Sequence, residues 1–416
     1  MSIRKAVIAL VIGLGAVLAR GVPLRAEGAA DLFNPQVVQR IDLDLHSADW
    51  AQLRADFQTN TYSPSDFSWN GMKVYNTGIR SHGIASRSGQ KPALKVDFNH
   101  YSSGQTFLGL KAIILKNLAQ DASGIHEGVA MWFMSRFGIP APHEAFATLF
   151  VNGEYAGLYG LVEYIDQTMV SRAFSDEDGS QNDVYLYEFK KAAEWGLNYL
   201  GSDLDPYRPF FDPKTHESSS VETLYRPIEN LVRVINESAP EDLSAKVGPL
   251  IDLDELVRYV ALQNFISEQD GFTGRWGTNN FYLFRPKGKD QHRVIAWDED
   301  LSFADPDYPV TAFLDTNALF QKLMQVPEYR ALYFTTLRDA ADSAELGASQ
   351  STVGALESEI RRQLDLTVEP MLADPVRLWT DGEVERERNL MKAFATRRIR
   401  FVQCEVGRIT GVRPCN

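Results

Sequence analysis

The sequence has few cysteines and a deficit of basic residues, and each shortage removes a class of function from consideration. Its 42 Lys and Arg residues stand against 55 Asp and Glu residues, which gives a net charge of −13. Nucleic-acid binding depends on clustered cations that neutralise phosphates, so no nucleic-acid partner is expected. The only cysteines, Cys404 and Cys415, lie close together near the end of the chain. In an exported protein this favours one short disulfide over a metal centre or a reactive thiol.

The N-terminus combines a basic start with a short apolar run. Arg4 and Lys5 precede 14 uncharged residues, positions 6–19, and a small residue, Ala26, follows. A helix that spans a bilayer needs about 20 apolar residues, so this run is too short for one. The pattern predicts a signal peptide over residues 1–26 and a protein that is secreted, periplasmic or at the cell surface. No stable transmembrane span is expected once the signal is removed, and the lack of a cysteine after the run excludes a lipoprotein.

The length of the chain and its hydrophobic periodicity predict an α+β protein of two lobes. Single hydrophobic cores stop growing near about 250–300 residues, and this chain has 416. Residues 27–163 are rich in strand patterns and contain one prominent helix, so we expect an antiparallel β-rich N-lobe there. Residues 164–416 are expected to form a mainly helical C-lobe, with helices over roughly 316–345, 350–372 and 383–408.

Three local patterns carry the strand predictions. Residues 41–45 alternate apolar and polar side chains, and residues 71–80 and 93–98 read as further strands. Asn152 and Gly153 separate two apolar segments, which is the strongest short hairpin signal. The prominent helix follows Ser123 and carries Glu127 in its first turns.

The segment from Glu268 to Phe303 is where the sequence concentrates polar chemistry. It runs from Asp270 through Asn280 into one apolar strand, then through a turn into a second strand that ends at Asp298. A hairpin brings its two ends together, so the acids are expected to converge although 28 positions separate them. Oxygen ligands around one point suit Mg²⁺ and a polyphosphate.

Residues 81–91, here called the glycine–serine loop, connect two predicted strands. The loop contains three basic residues, His82, Arg87 and Lys91. Backbone N–H groups of such a loop can lie over phosphates. A solvated hairpin tip is the alternative interpretation, and the loop alone favours that alternative.

Several blocks of the chain together resemble one known family. The blocks occur in the family's order and are, from the N-terminus, residues 78–83 with Lys91 and 95–98, then 138–142, then 151–163, and last 279–283 with 296–303. They resemble the CotH kinase family, the spore-coat-protein-H-like atypical protein kinases. The resemblance covers about residues 40–305. It implies a two-lobed, atypical protein-kinase-like fold that binds ATP with Mg²⁺ or Mn²⁺ and phosphorylates hydroxyl groups of a protein substrate.

The resemblance also implies roles on the acidic side of the site. Asp270 resembles the catalytic aspartate, Asn280 the metal-binding asparagine, and Asp298 the metal-binding aspartate, with Asp300 as a helper or substitute. Two departures stand out. Asp270 and Asn280 lie ten positions apart, where ordinary protein kinases have five, and Asp270 follows Glu268-Gln269 in place of His-Arg.

On the nucleotide side, the resemblance implies a lysine held by a glutamate of the helix. Lys91 and Lys95 are the two candidates for that lysine, and Lys91 fits the basic block better. Glu127 is the expected partner, Glu163 is expected to mark the linker over the adenine pocket, and Arg80 belongs to the same nucleotide-binding block.

Two other functions compete with the kinase hypothesis. A structural or adhesive surface protein that keeps the fold without turnover agrees with the export signal and with the scarcity of ATP outside the cytoplasm. A Ca²⁺-dependent surface domain is the third, because residues 298–300 with Asp305 and Asp307 offer oxygen ligands. Those acids lack the regular spacing of a known Ca²⁺ loop.

Overall fold

A computed structural model describes residues 27–174, 183–345 and 354–412 of the chain. The predicted signal peptide at residues 1–26 and one cysteine, Cys415, lie outside these ranges. The other cysteine, Cys404, is disulfide-bonded, in agreement with the prediction made for it. Within the described ranges, no helix is both long enough and apolar enough to pass through a bilayer.

Helices and strands both contribute extensively, so the α+β fold class is confirmed. The strands are β1 (Val38–Asp44), β2 (Ser63–Trp69), β3 (Met72–Ser81), β4 (Leu94–Asp97), β5 (Ala112–Lys116), β6 (Glu144–Val151), β7 (Glu154–Glu163), β8 (Val184–Phe189), β9 (Phe211–Pro213), β10 (Phe281–Pro286) and β11 (Arg293–Ala296). The helices are α1 (Ala29–Leu32), α2 (Ser47–Ala55), α3 (His126–Arg136), α4 (Gln167–Ala173), α5 (Val221–Glu237), α6 (Leu243–Lys246), α7 (Leu253–Phe265), α8 (Ala318–Leu323), α9 (Pro327–Glu345), α10 (Ala355–Leu372) and α11 (Asp381–Thr410).

The first seven strands close into a barrel in the order β1-β2-β3-β4-β5-β7-β6. Every neighbouring pair is antiparallel except β1 and β6, whose parallel pairing runs from Val38 opposite Phe146 to Leu43 opposite Val151. The expected antiparallel sheet is therefore closed into a barrel by one parallel pair, which the sequence did not predict. A parallel pair joins strands that are distant in the chain, and local turn signals cannot reveal it.

The barrel interior is filled by alternate residues of its strands, as a period of two requires. The Asn-Gly hairpin between β6 and β7 is confirmed, with φ of 53° at Asn152 and 81° at Gly153. The interior core includes Ile41, Phe67, Ile79, Val96, Leu115, Leu149 and Leu161.

A second sheet follows the barrel in the order β11-β10-β8-β9. It lies within residues 164–416, which were expected to be mainly helical. Its outer strands, β9 and β11, are short. Helices α5 to α7 separate β8 from the hairpin β10–β11 along the chain, so the sequence pattern did not predict that these strands share a sheet. The division of the chain into lobes at residue 163 stays a prediction.

Helix α7 delivers the acidic segment into this arrangement. Asp252 caps the helix, since its Oδ1 accepts a hydrogen bond from the Glu255 backbone N at 2.9 Å. Phe265, the last helical residue, is fully buried in the largest core of the protein, which α7 shares with α9, α10 and α11. The chain therefore leaves α7 from a fixed point, three residues before Glu268.

Candidate functional site

A cavity of about 420 Å³ is lined by residues of the barrel, α3, the second sheet and the hairpin β10–β11. It brings together six of the nine residues predicted for the site. These six are Arg80, Glu127, Asp270, Asn280, Asp298 and Asp300. The glycine–serine loop also contributes, with residues 82–87 along one side of the cavity.

The hairpin joins the acidic residues as its two strands predict. Phe281 of β10 pairs with Ala296 of β11, so the residues just outside the pair lie next to each other. The Asn280 Nδ2 atom lies 3.4 Å from Asp270 Oδ2 and 3.2 Å from the backbone O of Asp298. Asn279 Nδ2 adds a second hydrogen bond to Asp270 Oδ2 at 2.9 Å. The two ends of the loop from Asp270 to Asn280 thus lie close together, which accommodates the ten-residue spacing.

Two of these residues have a left-handed backbone. The φ angles are 52° at Asn280 and 58° at Asp298. Non-glycine residues adopt this region uncommonly, and Asn and Asp do so more readily than other types. Such positions concentrate at functional sites, where the surrounding structure fixes an otherwise unfavourable geometry.

Among the described residues, four lysines line the cavity: Lys116, Lys190, Lys191 and Lys214. The one that pairs with Glu127 is Lys116, which the sequence reasoning missed. Its Nζ lies 2.5 Å from Glu127 Oε1 and 2.5 Å from Asp298 Oδ1. Ile113 and Leu115 point into the barrel core, so Lys116 points outward from the last position of β5. One signal in the sequence could have found it, because Lys116 ends the strand immediately before the helix that carries Glu127.

Burial and charge act together on the groups around this lysine. Burial lowers the pKa of Lys116, but the carboxylates of Asp298 and Glu127 outweigh it and raise that pKa well above its usual value. Burial raises the pKa of Glu127, and burial with the adjacent Glu127 raises the pKa of Glu144 well above the ordinary range. Burial and the neighbouring Asp298 do the same to the pKa of Asp300. Four acids, Asp298, Glu127, Asp300 and Glu144, are therefore crowded around Lys116.

Lys91, the favoured candidate for the nucleotide lysine, lies elsewhere. Its Nζ forms an ion pair with Asp374 Oδ2 at 2.6 Å, and its side chain is only 3% exposed. It lies outside the cavity wall and does not contact Glu127. The expected pairing of Lys91 with Glu127 is therefore corrected to the pairing of Lys116 with Glu127. Lys91 also precedes β4, so strand alternation does not place it on the same face as Lys95.

The second lysine candidate and the predicted linker residue are likewise outside the cavity wall. Lys95 Nζ pairs with Asp97 Oδ2 on its own strand at 3.1 Å, and it lies 4.1 Å from the centre of the Tyr164 ring. Glu163 is 2% exposed and accepts hydrogen bonds from Arg172 Nη2 at 2.6 Å and from the His143 backbone N at 3.0 Å. Its position at the end of β7 reflects this buried structural contact.

Behind the hairpin, a buried polar network holds the acidic segment. The Tyr259 hydroxyl lies 2.9 Å from Glu299 Oε1 and 3.2 Å from the Asn280 backbone O. Gln263 Nε2 donates to both Tyr259 and Glu299, each at 2.8 Å, and its Oε1 accepts from the Phe272 backbone N. Burial raises the pKa of Glu299 to about 8. Through Tyr259 and Gln263, helix α7 thus contacts the backbone at Phe272, shortly after Asp270, and at Asn280.

The donor set of the cavity supplies a few of the oxygen ligands of a hard cation and leaves the others to phosphate and water. Across residues 27–174, 183–345 and 354–412, no three His, Cys, Asp or Glu side chains are arranged around a common point for a metal ion. Asp298, Asp300 and the amide oxygen of Asn280 remain as oxygen donors. Mg²⁺ is usually held by one or two carboxylates together with substrate phosphates and water, and this set meets that requirement.

The acids proposed for a Ca²⁺ domain have other partners. Arg397 forms an ion pair with the Asp307 carboxylate. Asp305 Oδ1 accepts a hydrogen bond from the Asp307 backbone N at 2.9 Å. Neither residue lines the cavity that contains Asp298.

Two comparisons with known proteins show the family of this chain. The sequence model of the family described as CotH kinase protein matches residues 79–402, well over half of the chain. The chain belongs to the CotH family. Inner spore coat protein H of Bacillus subtilis (strain 168) is 21% identical over 377 residues, which cover 87% of this chain and 95% of the relative.

The family match confirms the resemblance and extends it. The blocks noted in the sequence end near residue 305, whereas the CotH match continues to residue 402. It therefore includes α10, most of α11 and the connection between them, which contains Asp374.

Proposed function

We propose that this CotH-family chain is an exported, ATP-dependent protein kinase that phosphorylates hydroxyl groups of a surface or envelope protein. One observation carries the proposal. The Nζ of Lys116 lies 2.5 Å from carboxylate oxygens of both Glu127 and Asp298, in the cavity that Asp270 and Asn280 also line. A lysine on a strand, a glutamate on the next helix, and an acid–amide–acid set are the parts that phosphoryl transfer from ATP requires.

The same parts support a two-lobed kinase-like arrangement. In this proposal the barrel with α3 acts as the N-lobe and supplies Lys116, Glu127 and the glycine–serine loop. The chain after β7 acts as the C-lobe and supplies Asp270, Asn280 and Asp298. The barrel departs from an open kinase sheet by its parallel seam between β1 and β6.

Asp270 is proposed as the base that accepts the proton of the attacking hydroxyl. Its Oδ2 accepts hydrogen bonds from Asn279 and Asn280, which fixes the direction of the carboxylate. Its Oδ1 is buried without a hydrogen-bond partner among the described residues. The hydroxyl oxygen then bonds to the γ-phosphorus as the bond from that phosphorus to ADP breaks.

Lys116 is proposed to contact the phosphates of ATP. Its two carboxylate partners hold the ammonium group at the cavity and keep it protonated. Glu127 is its partner on α3, and Asp298 is its partner just after β11. Asp298 is proposed to face the phosphates as well. Lys116 thus replaces Lys91 and Lys95 in the role that the resemblance implied.

Asp298, Asn280 and Asp300 are proposed to hold Mg²⁺ or Mn²⁺. Asn280 uses its amide nitrogen on Asp270 and on the backbone of Asp298, which leaves the amide oxygen for a cation. When bound, the metal supplies positive charge for the phosphate oxygens. An added cation is favourable in this cavity because it offsets the repulsion between buried carboxyl groups. Asp300 and Glu127 are two such groups, and neighbouring acids help to raise the pKa of each.

The location of this activity is part of the proposal. The basic and apolar pattern of residues 1–26 supports export, and the matching relative is named as an inner spore coat protein. Both point to a substrate outside the cytoplasm.

A phosphorylation assay tests the proposal. Purified protein is incubated with γ-labelled ATP, Mg²⁺ or Mn²⁺, and casein as a general hydroxyl-bearing acceptor. We expect label in casein or in the chain itself with wild type. Asp298→Ala and Asp270→Ala are each expected to lose about 10²-fold or more of the rate. Asp290→Ala is the matched control, because Asp290 is an exposed acid in the turn of the same hairpin.

A structural or adhesive surface protein is the second candidate, and the name of the spore coat relative favours it. A thermal-shift titration with ATP and either metal separates the two functions. Label transfer that is equal in wild type and in both acid variants contradicts the proposed residues. A protein that shows neither label transfer nor any nucleotide-dependent shift with either metal supports the structural candidate.

A further inference from the structure

The most deeply buried ion pair that involves the barrel lies outside the proposed catalytic cavity. Lys91 Nζ and Asp374 Oδ2 are 2.6 Å apart, with side chains 3% and 1% exposed. The two residues are 283 positions apart, and Asp374 lies in the connection between α10 and α11. A buried ion pair contributes little net stability compared with well-packed apolar residues. This pair is therefore expected to serve a purpose other than stability.

The barrel is shaped to receive Asp374. The Leu158 backbone N of β7 donates to Asp374 Oδ2 at 3.1 Å, and the Val376 backbone N donates to Oδ1 at 2.9 Å. Gly157 has a φ of 115°, and a Cβ at this position would meet the Asp374 carboxylate oxygens at 2.6 Å. Only glycine therefore leaves space for the carboxylate at this point of β7.

The ion pair fixes the end of the glycine–serine loop. Asn117 Nδ2 donates to the backbone O of Lys91 at 2.7 Å and to the backbone O of Ser86 at 2.8 Å. Asn117 directly follows Lys116, the proposed phosphate-contacting lysine. Gln90 Nε2 adds a 3.4 Å contact to the backbone O of Val376. The loop, the lysine strand and the α10–α11 connection thus form one set of contacts.

We infer that Asp374 is a positioning residue that holds the glycine–serine loop over the phosphates of ATP by anchoring Lys91. This inference rests on the proposed function. A loop binds phosphates through its backbone N–H groups only if those groups are held in place before the nucleotide arrives. Asp374 does not touch the nucleotide, because it reaches the cavity only through Lys91 and the loop. The C-terminal helices therefore contribute to nucleotide binding without lining the cavity.

Hydrogen–deuterium exchange of the purified full chain tests the anchor without reference to activity. Asp374→Asn is expected to speed exchange of amides in residues 82–91 by about tenfold or more, because the loop loses its fixed end. Asp97→Asn is the matched control. Asp97 also pairs with a lysine, Lys95, and also accepts from the backbone N two positions later, at 3.1 Å. Equal exchange of the loop in wild type and Asp374→Asn overturns the inference.

Kinetics test the consequence for ATP. Asp374→Asn is expected to raise the KM for ATP about tenfold and to leave kcat within about threefold, since the chemical groups are intact. The double variant Lys91→Met with Asp374→Asn guards against a folding defect, because it leaves no buried ammonium group without a partner and its amide oxygen can still accept a backbone hydrogen bond. It is expected to keep the melting temperature and still raise the KM.

The two proposals fail in different ways. An unchanged KM in a folded double variant, with an active wild type, overturns the inference and leaves the proposed function intact. A wild type that neither binds ATP nor transfers label overturns the proposed function. The exchange experiment then still decides whether Asp374 fixes the loop.

Discussion

The acidic and the basic walls of the cavity are assembled in different ways. The acidic wall, Asp270 with Asn280 and Asp298, comes from one hairpin and the loop before it. The basic wall, Arg80 with Lys116, comes from β3 and β5, strands that are neighbours of β4 but not of each other. A loop and one hairpin within 28 residues fix the first. The second needs two successive strand pairings, β3 with β4 and β4 with β5, on either side of the glycine–serine loop.

Lys91, Lys95 and Lys116, the three lysines considered for the nucleotide role, show what that difference means. Lys91 is sealed against Asp374, Lys95 pairs with Asp97 on its own strand, and Lys116 reaches the cavity. All three lie near strand ends and none is distinguished by its immediate neighbours in sequence. Only the placement of each strand in the barrel separates them.

The largest expected effect comes from changing Lys116, which pairs with Glu127 where Lys91 or Lys95 was expected to do so. Lys116→Met is expected to lower kcat/KM for ATP by about 10²–10³-fold, because the phosphates lose their fixed cation. Lys95→Met is expected to stay within about threefold of wild type, since its pair lies outside the cavity wall. Steady-state label transfer with varied ATP measures both.

A control is needed because Lys116→Met leaves Glu127 facing Asp298 without a cation. The double variant Lys116→Met with Glu127→Gln removes part of that repulsion and is expected to recover melting temperature but not activity. If Lys95→Met, and not Lys116→Met, abolishes label transfer, then the basic wall has been assigned to the wrong strand.

Much of the acidic wall was predictable and little of the basic wall was. The hairpin register is fixed by turn length and alternation, so Asp270, Asn280 and Asp298 could be brought together from the sequence. Helical periodicity placed Glu127 on the correct helix, and the family resemblance gave it a role. They did not identify its partner, because the partner depends on which strand end faces α3, and that is set by pairing between β5 and β7.

The fold shows the same limit. Strands β1, β3 and β4 and the helices α10 and α11 follow local periodicity and were predicted close to their observed bounds. The single helix expected over 316–345 is two helices, α8 and α9, and Pro327 begins the second. The barrel seam, the second sheet and the contact of Asp374 with β7 join residues from about 100 to more than 200 positions apart. No turn, cap or alternation signal encodes contacts at that distance.

An intermediate effect is expected from the network behind the acidic wall. Tyr259→Phe removes the hydroxyl that lies near both Glu299 and the Asn280 backbone. We expect kcat to fall about tenfold and stability to fall by about 1–3 kcal/mol, because a buried carboxylate loses a donor. Denaturant unfolding and label transfer measure the two effects.

Tyr187→Phe is the matched control for this network. Tyr187 is fully buried, and its hydroxyl donates to the Leu224 backbone O at 2.8 Å, away from the cavity. It is expected to lose stability with kcat unchanged. Equal losses of kcat in the two variants would mean that Tyr259 acts on the fold as a whole and not on the acidic wall.

The smallest effect on activity is expected at Glu163. Glu163→Gln keeps an acceptor for the His143 backbone N but removes the charge that pairs with Arg172. The Arg172 side chain is 36% exposed, so solvent weakens the pair, and we expect a loss of only about 1 kcal/mol of stability. The KM for ATP should not change, because Glu163 does not line the cavity. A higher KM at an unchanged melting temperature would instead place Glu163 over the nucleotide, as the family resemblance implied, and the nucleotide site would then extend to the end of β7.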